Sequence, residues 1–176
     1  MARLTVLSSR RTLLGLLACS AALATLPAPA QTTPGTTAPA RTLEVGAMVA
    51  ARTLADQHDR PLHIDEGVRW VVFGADKKTT DWLSPALVAR GAAVLARAGV
   101  VYVADISAMP ALITSMFALP KLRELPLNVG LARDAALLAD LPRRAGLATV
   151  IRLDRLQVRS LQHVADAAAL DAALAP

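Results

Sequence analysis

The chain has 176 residues, 54% of them hydrophobic, with a formal charge of +5 and a single cysteine. Its mean hydropathy of +0.42 fits one compact domain plus an additional apolar segment. The basic residues are scattered and aromatic residues make up 3% of the chain, which excludes the cationic stripe with interleaved stacking rings that nucleic-acid binding requires.

The apolar excess lies at the start. Residues 1–30 carry Arg3, Arg10 and Arg11 and no acid, then "TLLGLLACSAALATL", and close on "APA" before Gln31. This layout predicts a cleavable secretory signal and hence export to the periplasm. As a membrane anchor the apolar run is too short and ends in prolines. "SRRTLL" resembles a twin-arginine export motif. "LLAC" resembles a lipoprotein box, in which a lipidated Cys19 would hold the protein at a membrane; the apolar run continues past that cysteine, so cleavage after Ala30 is the preferred reading. Cleavage removes three arginines and no acid, lowering the charge from +5 to +2, and takes Cys19 with it. The mature chain then has no thiol, disulfide or thiolate metal site.

"QTTPGTTAPA", Gln31 to Ala40, is rich in Thr, Pro and Gly, so residues 31–41 are expected to form a disordered tether ahead of a folded domain spanning 42–176. Short strands are predicted at "ARTLAD" and "PLHI", joined by the turn "QHDR", and a buried strand at Val68 to Phe73 between two glycines. A helix follows, capped by Thr79 or Thr80 and running to about Ala98. Leu83, Leu87, Val94 and Ala98 share one face of it, and Gly91 on that face allows close approach to the sheet.

"GVVYVADI" reads as a second buried strand. Ser107 is expected to cap a short helix with the apolar stripe Leu112, Ile113, Met116 and Phe117, ended by Pro120. "LNVGLAR" and "LATVIRL" are the next strands, with room for a helical turn between Asp134 and Gly146. "QVRSL" precedes a terminal helix capped by Asp166. The order β-α-β-α-β-β-α, with helices on both faces, predicts a three-layer α/β/α sandwich with a central mixed sheet and an N-terminal β-hairpin.

That order, with "LEVGAMVAARTLADQHDRPLHIDEGVRWVVFGAD" at its start, resembles the opening of the peroxiredoxin-like and membrane-tethered thioredoxin-like families. "LRELPLNVGLAR" is similar to the segment in which those families place a cis proline before a central strand, which makes Pro126 the candidate. "VIRLDRLQVRSLQHVADAAALDAAL" resembles their closing hairpin and helix. The resemblance implies a thioredoxin-like fold over residues 42–175.

It also implies a thiol where none exists. The families present Cys-x-x-Cys or Thr-x-x-Cys at the helix N-terminus after the first central strand, where the helix lowers the thiol pKa. Here "FGADKKTTDWLSP" puts Lys77 to Asp81 in that window. Thr79 and Thr80 would need an adjacent base to act as nucleophiles, and no histidine lies nearby in sequence. His58, His63 and His163 lack metal-ligand spacing, and no Gly-rich dinucleotide or phosphate loop is present, so neither a metal nor an organic cofactor is expected.

The functional expectation is therefore an exported, redox-inactive thioredoxin-like domain that binds an unidentified periplasmic protein or peptide. Its candidate site residues are Asp76, Lys77, Lys78, Thr79, Thr80, Trp82, Leu125 and Pro126, with Met109 and Met116 as adaptable apolar neighbours. One alternative is a thiol-independent enzyme or small-anion binder using residues 76–81, with Asp76 and Asp105 as a candidate acid/base pair. Another is an accessory factor in maturation of an exported metalloprotein.

Overall fold

The computed structural model describes residues 42–175; the expected signal segment and tether lie outside them. The described chain forms strands β1 (Arg52–Ala55), β2 (Pro61–Ile64), β3 (Trp70–Gly74), β4 (Val100–Asp105), β5 (Val129–Ala132), β6 (Ala148–Asp154) and β7 (Gln157–Val164). They build one mixed sheet in the order β2-β1-β5-β4-β3-β6-β7. The expected N-terminal hairpin is β1–β2. At the centre β3 pairs parallel with β4 and antiparallel with β6, and β4 pairs parallel with β5.

Every residue of β3 is buried. Its side chains alternate across the sheet, Trp70 and Val72 entering one core and Val71 and Phe73 the other. A strand covered on both faces reads as a continuous apolar run, which is why "WVVF" shows no polar alternation.

One face is covered by helices α1 (Lys77–Arg90), α2 (Ala92–Arg97) and α5 (Ala167–Ala173), whose Leu83, Leu87, Leu95 and Leu170 share a core with Val72, Tyr102 and Val150. The other face has a thinner cover. Leu43 and Val49 of the leading segment, with Leu138 of the 3-10 turn Ala135–Leu138 and Leu141 just after it, pack on Val71, Phe73, Val103 and Ile151.

Three local expectations are corrected. The cap of α1 is Asp76, whose carboxylate accepts from the Thr79 N–H at 2.7 Å; Thr79 and Thr80 lie inside the helix. That helix does not run unbroken to Ala98. It stops at Arg90 because Gly91 adopts φ +85°, and α2 restarts in a new phase that buries Leu95 and leaves Val94 57% exposed. No atom lies within 4 Å of where a Gly91 side chain would begin, so this glycine serves the backbone angle and not close approach.

The third correction concerns the next helix. Pro110, not Ser107, stands at its start, and it passes through Pro120: α3 (Ala111–Ile113) widens into a π turn (Thr114–Ala118) and continues as α4 (Leu119–Arg123). The Leu119 N–H reaches back to the Thr114 carbonyl. This shift of the ladder lets the helix accommodate a proline, which has no N–H to donate.

Candidate functional site

At the C-terminal ends of β3 and β4, α1 and the α3–α4 segment stand apart and leave a groove of about 690 Å³. Ala104, Asp105 and Ile106 line it from the end of β4 and just beyond. Lys77, Thr80, Ser84 and Val88 come from α1, Ile113, Phe117 and Leu122 from the opposite side, and Leu125 and Pro126 from the loop entering β5. The volume falls within the range of small-molecule and peptide sites, and the walls are largely apolar.

Four of the eight candidate residues meet here: Lys77, Thr80, Leu125 and Pro126. Met109 joins them, as do Asp81, the end of the 76–81 window, and Lys121, which sequence reasoning did not single out. Asp76 points elsewhere. Its Oδ1 accepts from Thr79 N–H and its Oδ2 from Gly146 N–H, both at 2.7 Å, so it ties the start of α1 to the loop before β6. Burial pushes the Asp76 carboxyl up, but the hydrogen bonds from Gly146 and Thr79, with the nearby Lys78 charge, outweigh this and hold it below the ordinary range.

The Lys78 stem lies along Gly146, on that same side. Thr79 is fully buried, and its Oγ1 has no hydrogen-bond partner among the described residues; the same holds for Trp82 Nε1, whose ring packs against the helix-side core. These two polar atoms are held by the core and do not line the groove.

The polar groups that do line the groove are mostly committed. Thr80 Oγ1 donates to the Asp76 carbonyl at 2.6 Å. Lys77 pairs with Asp81 at 2.5 Å across one helical turn, both side chains exposed. Ser84 Oγ shares a hydrogen bond of 3.0 Å with Tyr102 Oη, and burial, offset in part by that bond, pushes the Tyr102 phenol up to about 12. Asp105 is engaged by Arg143 and accepts from Ser107 N–H at 2.9 Å. The Arg143 guanidinium also lies 5.4 Å from the Phe73 ring centroid, which holds it in place.

Asp76 and Asp105 thus have separate partners and do not form an acid/base pair. The histidines lie outside the groove lining: His63 bonds Thr53 at 2.9 Å and His163 bonds Thr149 at 3.1 Å. No cluster of three potential metal ligands occurs among the described residues. Chemically, the groove offers apolar surface with a few bonded hydroxyls and ion pairs, an arrangement for binding.

Gln57 is the residue whose importance the sequence hid. Its side chain, 1% exposed, donates from Nε2 to the Leu127 carbonyl and accepts at Oε1 from Val129 N–H, fixing the chain just after Pro126. Its backbone carbonyl accepts from Arg123 Nε at the end of α4. One residue thereby positions two walls of the groove.

The architecture has counterparts among solved structures. StoA from Bacillus subtilis superposes with a TM-score of 0.51 at 12% identity, over 72% of this chain and 97% of that one. The fold is thioredoxin-like. Peroxidoxin BcpB from Mycobacterium tuberculosis gives a TM-score of 0.50 at 16% identity over 75% and 94% of the two chains. The thioredoxin domain of a thiol-disulfide oxidoreductase from Bacteroides vulgatus gives 0.50 at 14% over 74% and 96%. At these identities the likeness is one of fold. No family model matches the sequence, and no curated protein does. Within the thioredoxin-like frame, residues 42–175 contain no cysteine, and Lys77 and Thr80 occupy the groove end of α1.

Proposed function

We propose that the protein is an exported, thiol-free thioredoxin-like binding module, acting in the periplasm on an extended apolar segment of a partner protein. The observation that carries this reading is the open apolar groove at the start of α1, continued outward by exposed Leu112, Met116 and Phe117, the last 63% exposed. Large exposed apolar side chains clustered beside a concavity mark a contact surface. An extended segment gains affinity from backbone pairing and specificity from pockets for alternate side chains. No sulfur is needed for either.

The alternative of thiol-independent catalysis at residues 76–81 has less support, because the Asp76 carboxylate and the Thr80 hydroxyl are consumed in holding the helix start and Thr79 is buried away from the groove. A role in maturation of an exported metalloprotein would use the same groove to hold a client protein, without metal transfer through thiols.

The test is selection of displayed peptides against the protein, followed by affinity measurement with Phe117→Asp and Ile113→Asp variants. Both positions are exposed, so the melting temperature should hold while affinity falls at least about tenfold, near 1.4 kcal/mol. Peptides that bind the variants as tightly as the parent would refute the groove reading.

A further inference from the structure

A second concavity, of about 590 Å³, lies at the opposite end of β3 from the groove, where β6 leaves the sheet. Arg69, Trp70, Arg152 and Arg155 line it, together with Glu66 and Asp154. It differs from the groove in being polar and rich in guanidinium groups. The charge balance is decided by pairing. Asp154 is already held by Arg159, whose Nε and Nη2 reach Oδ2 at 3.2 and 2.7 Å. Among the described residues, Arg69 and Arg152 form no ion pair within 4 Å, and Glu66 is the one lining acid left free.

Two features set this cluster apart. The Arg152 guanidinium lies over the Trp70 ring, 5.4 Å from its centroid, directly across the β3–β6 pair. A guanidinium fixed on an indole gives up less freedom when it meets an anion. Arg155 and Leu156 both adopt positive φ, +47° and +65°, in the two-residue turn between Asp154 and Gln157. Turns of this hand favour Asn and Gly. Leu156 is buried and its carbonyl accepts from Val49 N–H, which accounts for its place in the turn. Arg155 is exposed at its side chain and has a 3.9 Å contact with an Asp154 that Arg159 already satisfies. Nothing in the packing explains an arginine at that strained position.

We propose that this concavity binds a small ligand bearing two or more negative charges on neighbouring oxyanions, gripped by the guanidinium groups of Arg69 and Arg152 with Arg155 closing over it. Planar guanidinium forks match the paired oxygens of carboxylate and phosphate groups alike. The site is independent of the groove and of its apolar partner.

The experiment is a titration of the protein with inorganic pyrophosphate in one arm and citrate in the other, followed by NMR at the Trp70 indole N–H and the arginine Nε–H groups. Saturable shifts at Trp70, Arg69 and Arg152, with Kd below about 1 mM in dilute buffer and weaker binding at about 0.15 M salt, are expected. Binding in the pyrophosphate arm alone assigns a phosphate ligand, binding in the citrate arm alone a carboxylate ligand, and binding in both the shared oxyanion chemistry. Arg69→Met should lower affinity at least about tenfold, as should Arg152→Met, and the first leaves the stacked Trp70–Arg152 pair in place if the second proves unstable. Failure of both anions to saturate any of these signals, or unchanged affinity in the Met variants, overturns the proposal.

Discussion

Gln57 and Val129 are joined by a 2.8 Å hydrogen bond from the Val129 N–H to Oε1, and the same side chain returns a donor to Leu127 at 2.7 Å. A side-chain amide here takes the place of a neighbouring strand at the point where β5 begins. Replacing Gln57 by Leu keeps the volume roughly constant but leaves a buried N–H and a buried C=O without partners, at about 1–3 kcal/mol each. The expected loss is about 2–6 kcal/mol in urea unfolding, with faster hydrogen exchange at Val129. Retained protection at Val129 would mean that water or a rearranged loop replaces the amide.

Asp76 makes a second such tie, between α1 and the loop at Gly146. Asp76→Ala should cost about 1–2 kcal/mol for the cap alone. Because the folded-state carboxyl is held below its ordinary pKa of about 3.9, the unfolded chain binds the proton more readily. Its contribution is therefore present in full above that value and is lost as pH falls through the lower folded-state value. Stability measured between about pH 6 and pH 2 should drop less steeply in Asp76→Asn than in the parent; equal slopes would show that other carboxylates carry the acid sensitivity.

These two residues also mark what the sequence could and could not convey. The two central strands were legible because "VRWVVF" and "GVVYVADI" are short, valine-rich apolar runs between turn signals, the pattern of a strand covered on both faces. The cap was ambiguous because Asp76, Thr79 and Thr80 are all competent, and only the backbone angles choose among them. The stripe Leu112, Ile113, Met116, Phe117 was visible as a face. Periodicity reports that residues share a face, and says nothing of whether another element covers it; in the folded chain it is largely uncovered. Half of the candidate site failed to converge for a related reason: along a helix start, successive side chains point in different directions, so Asp76, Lys78, Thr79 and Trp82 diverge from Lys77 and Thr80.

Gly91 and Gly74 give opposite expectations for the same substitution. Gly91→Ala places a side chain at φ +85° with open space around it, so the strain lies wholly in the backbone, about 1–3 kcal/mol. At Gly74 the added carbon would sit 3.4 Å from a Leu83 methyl, an ordinary contact. Gly74→Ala should stay within about 1 kcal/mol of the parent. Thermal melts of the two variants separate backbone demand from close packing.

The proposed export supplies a prediction of its own. Cleavage after Ala30 should leave Gln31 as the first residue, since Ala28 and Ala30 offer the small side chains that signal peptidases accept. Intact-mass analysis of protein recovered from the periplasm checks this, and a mass bearing a lipid on Cys19 would instead place the protein at a membrane surface.

The thioredoxin-like frame makes a stronger demand on Lys77 and Thr80, which stand three residues apart at the start of α1. In a Cys19→Ser background the chain has no thiol, so it should neither reduce insulin disulfides nor consume peroxide in a thiol cycle. Installing Lys77→Cys and Thr80→Cys puts two thiols at the N-terminal end of a 14-residue helix, where the aligned peptide dipoles favour the thiolate. The exposed cysteine at 77 should then titrate below the free-thiol value of about 8.5, and the pair should form a disulfide that turns over insulin slowly. The substitution also removes the Lys77–Asp81 pair, an exposed contact worth well under about 1 kcal/mol, so folding should survive. A Lys77→Cys thiol that titrates normally, in a protein whose melting temperature is unchanged, would show that this helix start lacks the electrostatics its fold implies. A lowered thiol pKa with insulin turnover would show that the scaffold retains the geometry for thiol exchange and lacks only the sulfur.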